Sequence, residues 1–118
     1  MRIEERTIDD VVVAKIHGDI LLNGSGPALA ERMRSLLEQD RRCIVLDLGD
    51  VRYVDSGGIG ELVESFSAAR NRGGAIKLAR VTRRLNDLFV IAKLLNVFEC
   101  FETEDEAIES FGRRVAAE

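Results

Sequence analysis

A chain of 118 residues, 46% hydrophobic and 32% charged, can bury a core without metal or disulfide staples. Its formal net charge is −4, and the pairs Arg41-Arg42, Arg83-Arg84 and Arg113-Arg114 are interleaved with carboxylates, which speaks against nucleic-acid binding. No stretch approaches the ~20 apolar residues that cross a bilayer, and the charged start Met1–Arg6 has no signal-peptide core, so neither membrane insertion nor secretion is expected. Cys43 and Cys100 sit in short apolar runs and are expected to be inert, buried strand thiols in a reducing cytoplasm. Without repeats or a Pro/Ser-rich linker, residues 1–118 are expected to form one domain.

Ile3 to Ile8 and Val11 to Ile16 predict a hairpin around Asp9-Asp10. A loop with three glycines, Gly18 to Gly26, leads to Pro27, which suits the first position of a helix. Leu29, Met33, Leu36 and Leu37 then recur at helical spacing. Cys43 to Leu48 is nearly continuous in apolar residues, as a strand covered on both faces would be. Ile59, Leu62, Val63 and Phe66 mark one face of a second helix, closed by Gly73-Gly74. Ala75 to Ala79 predicts a strand, and Thr82 can cap a helix carrying Leu85, Leu88, Phe89 and Ala92. Val97 to Phe101 predicts a last strand. Thr103 and Glu106 then form a capping box for a helix that buries Ala107, Ile108, Phe111 and Val115, with Arg113-Arg114 near its end. The order β-β-α-β-α-β-α-β-α implies an α/β fold, a mixed, mostly parallel sheet with about four helices. Three loops follow strands and should share one rim: Gly18–Gly26, the segment around Ser56, and Arg80–Thr82.

Asp55-Ser56-Gly57-Gly58-Ile59-Gly60 is the most informative segment. It places Ser56 where a short apolar stretch gives way to a helix, as that helix's cap. Backbone N–H groups and the helix dipole favour an anion there, so a phosphate on Ser56 would meet donors already aimed at it. Three glycines in four residues weaken a helix start by about 1 kcal/mol each, which suggests that another surface approaches this backbone closely. Chemistry at Ser56 is not expected: the only histidine, His17, reads as a strand-end residue, and the nucleophile-elbow spacing is missing. No metal-ligand pattern, phosphate loop or dinucleotide fingerprint is present, so no cofactor is expected.

The stretch Asp47 to Gly60, with Asn71-Arg72-Gly73-Gly74 and Val97-Phe98-Glu99, resembles the signature of STAS domains, specifically of bacterial anti-sigma factor antagonists. The resemblance covers nearly the whole chain. It implies a module that binds an anti-sigma factor, itself a serine kinase, and so frees a sigma factor. It also implies that the kinase phosphorylates Ser56 and that a phosphatase reverses this. Asp55, Gly57, Gly58 and Ile59 would shape the surface shown to the kinase, with Asp19, Asn23 and Ser25 of the glycine-rich loop as further contacts. Two positions depart from the pattern. Gly57 stands where many members carry a second serine, and Leu21 where many carry an aspartate, for which Asp19 or Ser25 could substitute. Two other expectations stand beside this one: a STAS interaction subunit of a lipid-transport or sensory complex, and a nucleotide-binding domain using the glycine-rich rim.

Overall fold

The computed structural model describes residues 1–21, 28–94 and 96–112. Its elements follow the expected order: β1 (Arg2–Ile8), β2 (Val11–His17), α1 (Ala28–Glu38), β3 (Cys43–Asp50), α2 (Ser56–Asn71), β4 (Ala75–Ala79), α3 (Arg83–Ile91), β5 (Cys100–Phe101) and α4 (Glu104–Glu109). The five strands form one sheet in the order β1-β2-β3-β4-β5, antiparallel between β1 and β2 and parallel elsewhere. Pro27, Val115 and Arg113-Arg114 lie outside the described residues.

Side-chain alternation explains the continuous apolar runs. Val12, Ala14 and Ile16 of β2 and Ile44, Leu46 and Leu48 of β3 face a core shared with α1, α2 and α3. Val11, Val13 and Val45 face the opposite side, where Ala107 and Ile108 of α4 close a smaller cluster. Thr82 caps α3 by accepting the Leu85 N–H at 3.3 Å. Thr103 accepts the Glu106 N–H at 3.0 Å, while the Glu106 carboxylate takes the N–H of Glu102, one residue earlier than a capping box requires. Gly73, at φ +75°, ends α2, and the Gly74 N–H reaches the Ala69 carbonyl at 2.8 Å.

Three expectations are corrected. The fully buried stripe of α2 is Gly58, Glu61, Leu62, Ser65 and Ala69, one step round from the expected face, and Ile59, Val63 and Phe66 are half-buried. The small residues of α2 lie against the sheet, while its larger apolar residues fill the flanks; Phe66 meets Phe98 edge-on at 5.6 Å. The last strand shrinks to Cys100–Phe101, because residues 96–98 turn rather than extend. Neither cysteine is fully buried: Cys43 is half-buried at the start of β3, and Cys100 is exposed on the edge strand β5.

The α4 side of the sheet also carries a charged cluster. Asp47 is fully buried, and its carboxylate accepts the Gly49 N–H at 2.8 Å and an Arg80 N–H at 3.2 Å. Arg80 adopts φ +57°, and its guanidinium crosses Gly49 so closely that a Cβ there would lie 2.6 Å from Cζ. Glu104, at the start of α4, is hydrogen-bonded to Asp47 and ion-paired to Arg6 of β1 at 2.7 Å. That bond to Asp47, and then burial, raise the Glu104 carboxyl above its ordinary 4.5. Burial pushes Asp47 up, but hydrogen bonds from Glu104, Gly49 and Arg80 outweigh it and hold its carboxyl below 3.8. Of the two carboxyls, Glu104 is thus the one that keeps its proton to the higher pH, and Asp47 the one that ionises first.

The raised group stabilises the fold at low pH and loses that contribution as pH rises through its folded value; the lowered Asp47 does the reverse, losing its contribution as pH falls. Glu104→Gln keeps a donor toward Asp47 at every pH. As pH climbs from about 4.5 to neutrality, the stability of this variant is expected to fall less than that of the wild type in urea titrations. Parallel pH profiles for the two proteins would rule out this coupling between Glu104 and Asp47.

Candidate functional site

The strand-following loops do meet on one rim. The segment after β2 is stitched to the segment after β3 by backbone bonds. The Ile20 N–H reaches the Tyr53 carbonyl at 3.1 Å, and the Asp55 N–H reaches the Ile20 carbonyl at 3.3 Å. Ile20 and Val54 form a parallel bridge, and the Asp19 carboxylate accepts the Tyr53 N–H at 3.2 Å. Asp19 therefore holds the serine segment from behind. The loop after β4 lies beside them: Thr82 and Arg84 share a recess with Gly49, Asp50, Val51 and Arg52.

The helix cap is Asp55, not Ser56. Asp55 is extended at φ −83° and ψ 179°, and its carboxylate accepts the Gly58 N–H at 2.7 Å. Aspartate and serine are near-equal caps, and the charge-assisted bond decides between neighbours. Ser56 becomes the first helical residue and is exposed. The most favourable donor at this helix start is thus already taken by a carboxylate. Among the described residues, the N–H groups of Ser56 and Gly57 have no acceptor.

The glycines divide by role. Gly58 is buried, and a Cβ on it would fall 2.1 Å from the Ile20 carbonyl oxygen and 2.8 Å from Val54. The close approach that it permits is internal. Gly57 is half-buried, and nothing lies within 4 Å of a Cβ built on Gly60. Ile59 is half-buried and packs partly on the core. Asn23 and Ser25 lie outside the described residues.

Sequence reasoning missed Glu61. Its side chain is buried between α2 and the start of α1, where Oε1 accepts the Ala30 N–H at 3.4 Å and Oε2 has no partner among the described residues. Burial raises its carboxyl, the Ala30 N–H works against that rise, and the charges of Glu64 and Asp55 add to it. A helical wheel puts Glu61 beside Leu62 and Ser65, but only the packing of α1 shows that the position is closed. His17 has both ring nitrogens engaged, with Glu4 at 2.9 Å and Asp50 at 2.8 Å. No ring nitrogen is left to activate a serine.

Residues 2–107 match the STAS domain model. The chain is 34% identical over 111 residues to the anti-sigma-B factor antagonist of Listeria monocytogenes, covering 90% of this chain and 91% of that one. Two solved structures share the fold. One is a Thermotoga maritima protein assigned as an anti-sigma factor antagonist, with TM-score 0.86 and 21% identity over 94% of this chain and 95% of that one. The other is the Bacillus cell fate determinant SpoIIAA in its phosphorylated form, with TM-score 0.72 and 16% identity over 93% and 99%. This chain belongs to the STAS family, among its anti-sigma factor antagonists.

The contrast between two glycines tests the local geometry. Gly58→Ala must displace the Ile20 carbonyl and is expected to cost about 1–3 kcal/mol or more. Gly60→Ala, with open space around it, is expected to stabilise by about 0.5–1 kcal/mol. Chemical denaturation of both variants measures this, and equal effects would contradict the packing.

Proposed function

We propose that this protein binds an anti-sigma factor that is also a serine kinase, thereby releasing a sigma factor, and that phosphorylation of Ser56 switches the binding off. The observation that carries the reading is the exposure of Ser56 at the first turn of α2, on a rim braced from behind by Asp19 and Ile20. A kinase needs an accessible hydroxyl, and a docking partner needs a surface that keeps its shape. A protein of the same fold has been solved in a phosphorylated form, which supports a fold that tolerates the modification. A phosphatase acting on phospho-Ser56 would restore binding.

The mechanism is electrostatic. Unmodified, Ser56, Gly57 and the outer part of Ile59 offer a small, nearly flat contact, with Asp55 and Asp19 fixing its backbone. Gly58 contributes by packing inward. Phosphate adds about −1.5 to −2 charge beside the Asp55 carboxylate, which already occupies the Gly58 N–H. The free N–H groups of Ser56 and Gly57 keep the folded state tolerant of that charge. Burying it at an interface without a matched cation costs several kcal/mol, and a loss of about 5.5 kcal/mol weakens binding roughly ten-thousandfold.

Incubation with the cognate anti-sigma kinase and labelled ATP, followed by mapping of the modified residue, is expected to find phosphate on Ser56 and none on Ser56→Ala. In a binding titration, Ser56→Ala should associate whether or not ATP is present, and Ser56→Asp should associate poorly. Equal affinities for the two variants would refute the switch.

A further inference from the structure

Among the described residues, four large apolar side chains are exposed: Met1, Tyr53, Val90 and Ile91. Three of them lie together. Tyr53 (46% exposed) and Ile91 (78%) line one recess of about 430 Å³ with Arg84, Asp87 and Leu88, and Val90 (50%) adjoins Ile91. On α3 the positions 84, 87, 88 and 91 follow the spacing of a single helix face. A helix of nine residues thus turns Leu85 and Phe89 fully inward, packs a half-buried Leu88 on the edge of the core, and leaves Ile91 exposed beside it. Leu85, Leu88 and Phe89 explain its docking on the sheet; the exposure of Ile91 opposite Tyr53 is not explained by the fold.

Several described arginines have no carboxylate partner, and those nearest this recess are among them. Arg6, Arg32, Arg34 and Arg80 are each paired with a carboxylate. Arg52, Arg83 and Arg84 are exposed and hold no carboxylate among the described residues. Arg84 stands between the apolar recess and a second one of about 670 Å³, which Arg52 also lines. In a chain of net charge −4, unpaired guanidinium groups beside an exposed apolar stripe call for a partner that supplies both apolar surface and carboxylates.

We infer that the groove between Tyr53 and the outer face of α3 is the second half of the partner surface, and that it takes an amphipathic segment of the anti-sigma factor whose apolar ridge is flanked by carboxylates. The inference rests on the proposed function, since it makes this groove continuous with Ser56. Tyr53 lies three residues before Ser56, and its backbone is bonded on both sides to the segment after β2. One rigid piece therefore presents both the serine and the groove wall. A second copy is a poorer occupant. A two-fold contact on this patch brings its unpaired arginines toward their own mates and covers the approach to Ser56.

The test is titration of the cognate anti-sigma factor against variants at low and high salt. Ile91→Glu and Arg84→Glu are each expected to weaken binding about tenfold or more. Asp87→Lys removes the one carboxylate of the groove and is expected to tighten binding several-fold at low salt, a gain that shrinks at high salt. Glu38→Lys, exposed at the far end of α1, serves as the control and should change affinity little. All four positions are exposed, so thermal melts should match the wild type. If all three groove variants bind within twofold of wild type while Ser56→Asp does not bind, the groove is overturned and the switch survives. If Ser56→Asp binds like wild type while the groove variants respond as expected, the switch fails and the groove survives. A concentration-dependent dimer in sedimentation that Ile91→Glu abolishes would assign the face to a second copy and overturn the inference.

Discussion

The Ile20 carbonyl is the point on which the serine segment depends. It accepts the Asp55 N–H, while the Ile20 N–H goes to Tyr53, so two loops that follow different strands behave as one piece. The same carbonyl sits where any side chain on Gly58 would be. A helix of glycines would ordinarily fray at its start. Here the loss of helix propensity is offset by a close approach that puts the first turn of α2 directly over a bonded backbone. The exposed face of that turn is therefore braced from beneath, although it consists mostly of glycine and serine.

The two faces of the sheet divide the work differently. The face under α1, α2 and α3 is closed by large aliphatic and aromatic side chains and supplies most of the apolar burial. The face under α4 is only partly apolar, and its polar half is organised around Asp47, Glu104, Arg6 and Arg80. Buried ionic groups contribute little net stability once desolvation is counted, but removing one partner leaves the others uncompensated. This network ties β1, β3, the turn after β4 and α4 together. β1 is an edge strand, and its charges are spent inward on Arg32, Glu104 and His17, which leaves that edge poorly suited to pairing with another sheet.

Most of the architecture was legible because its signals are local. Apolar runs bounded by polar turns marked β2, β3 and β4, and Thr82, Thr103 and Gly73 marked helix ends by hydrogen bonds within a few residues. What could not be read depends on packing between distant segments. Whether Asp55 or Ser56 caps α2 is a one-residue choice between near-equal cap formers, decided by the charge-assisted bond from Gly58 to Asp55, whose own N–H is held by the Ile20 carbonyl. The buried stripe of α2 was displaced because the helix packs on α1 and β4 along Gly58, Glu61, Leu62, Ser65 and Ala69, contacts that the hydrophobic spacing alone does not reveal. Asp47 interrupts its apolar run, but its partners Arg80 and Glu104 lie far along the chain and become neighbours only when the sheet is assembled. The exposed serine was readable from the motif; the apolar outer face of α3 was not, because Leu88 is shared with a helical pattern that also serves the core.

The placement of Asp55 changes how a phosphate on Ser56 would act. Had the serine been the cap, the phosphate could have folded back onto the helix start and been absorbed there. With Asp55 bonded to Gly58, the phosphate adds charge next to charge. From Ser56 to Ala69, α2 carries no basic residue, and its only charged groups are Glu61 and Glu64. The start of the helix therefore has no cation of its own to neutralise the modification; its one arginine, Arg70, lies in the last turn. A negative charge on Ser56 would be displayed on the outer surface of this rim, where its energetic consequence would fall on whatever is buried against it. That arrangement favours a switch that works by changing what the surface repels rather than by remodelling the fold.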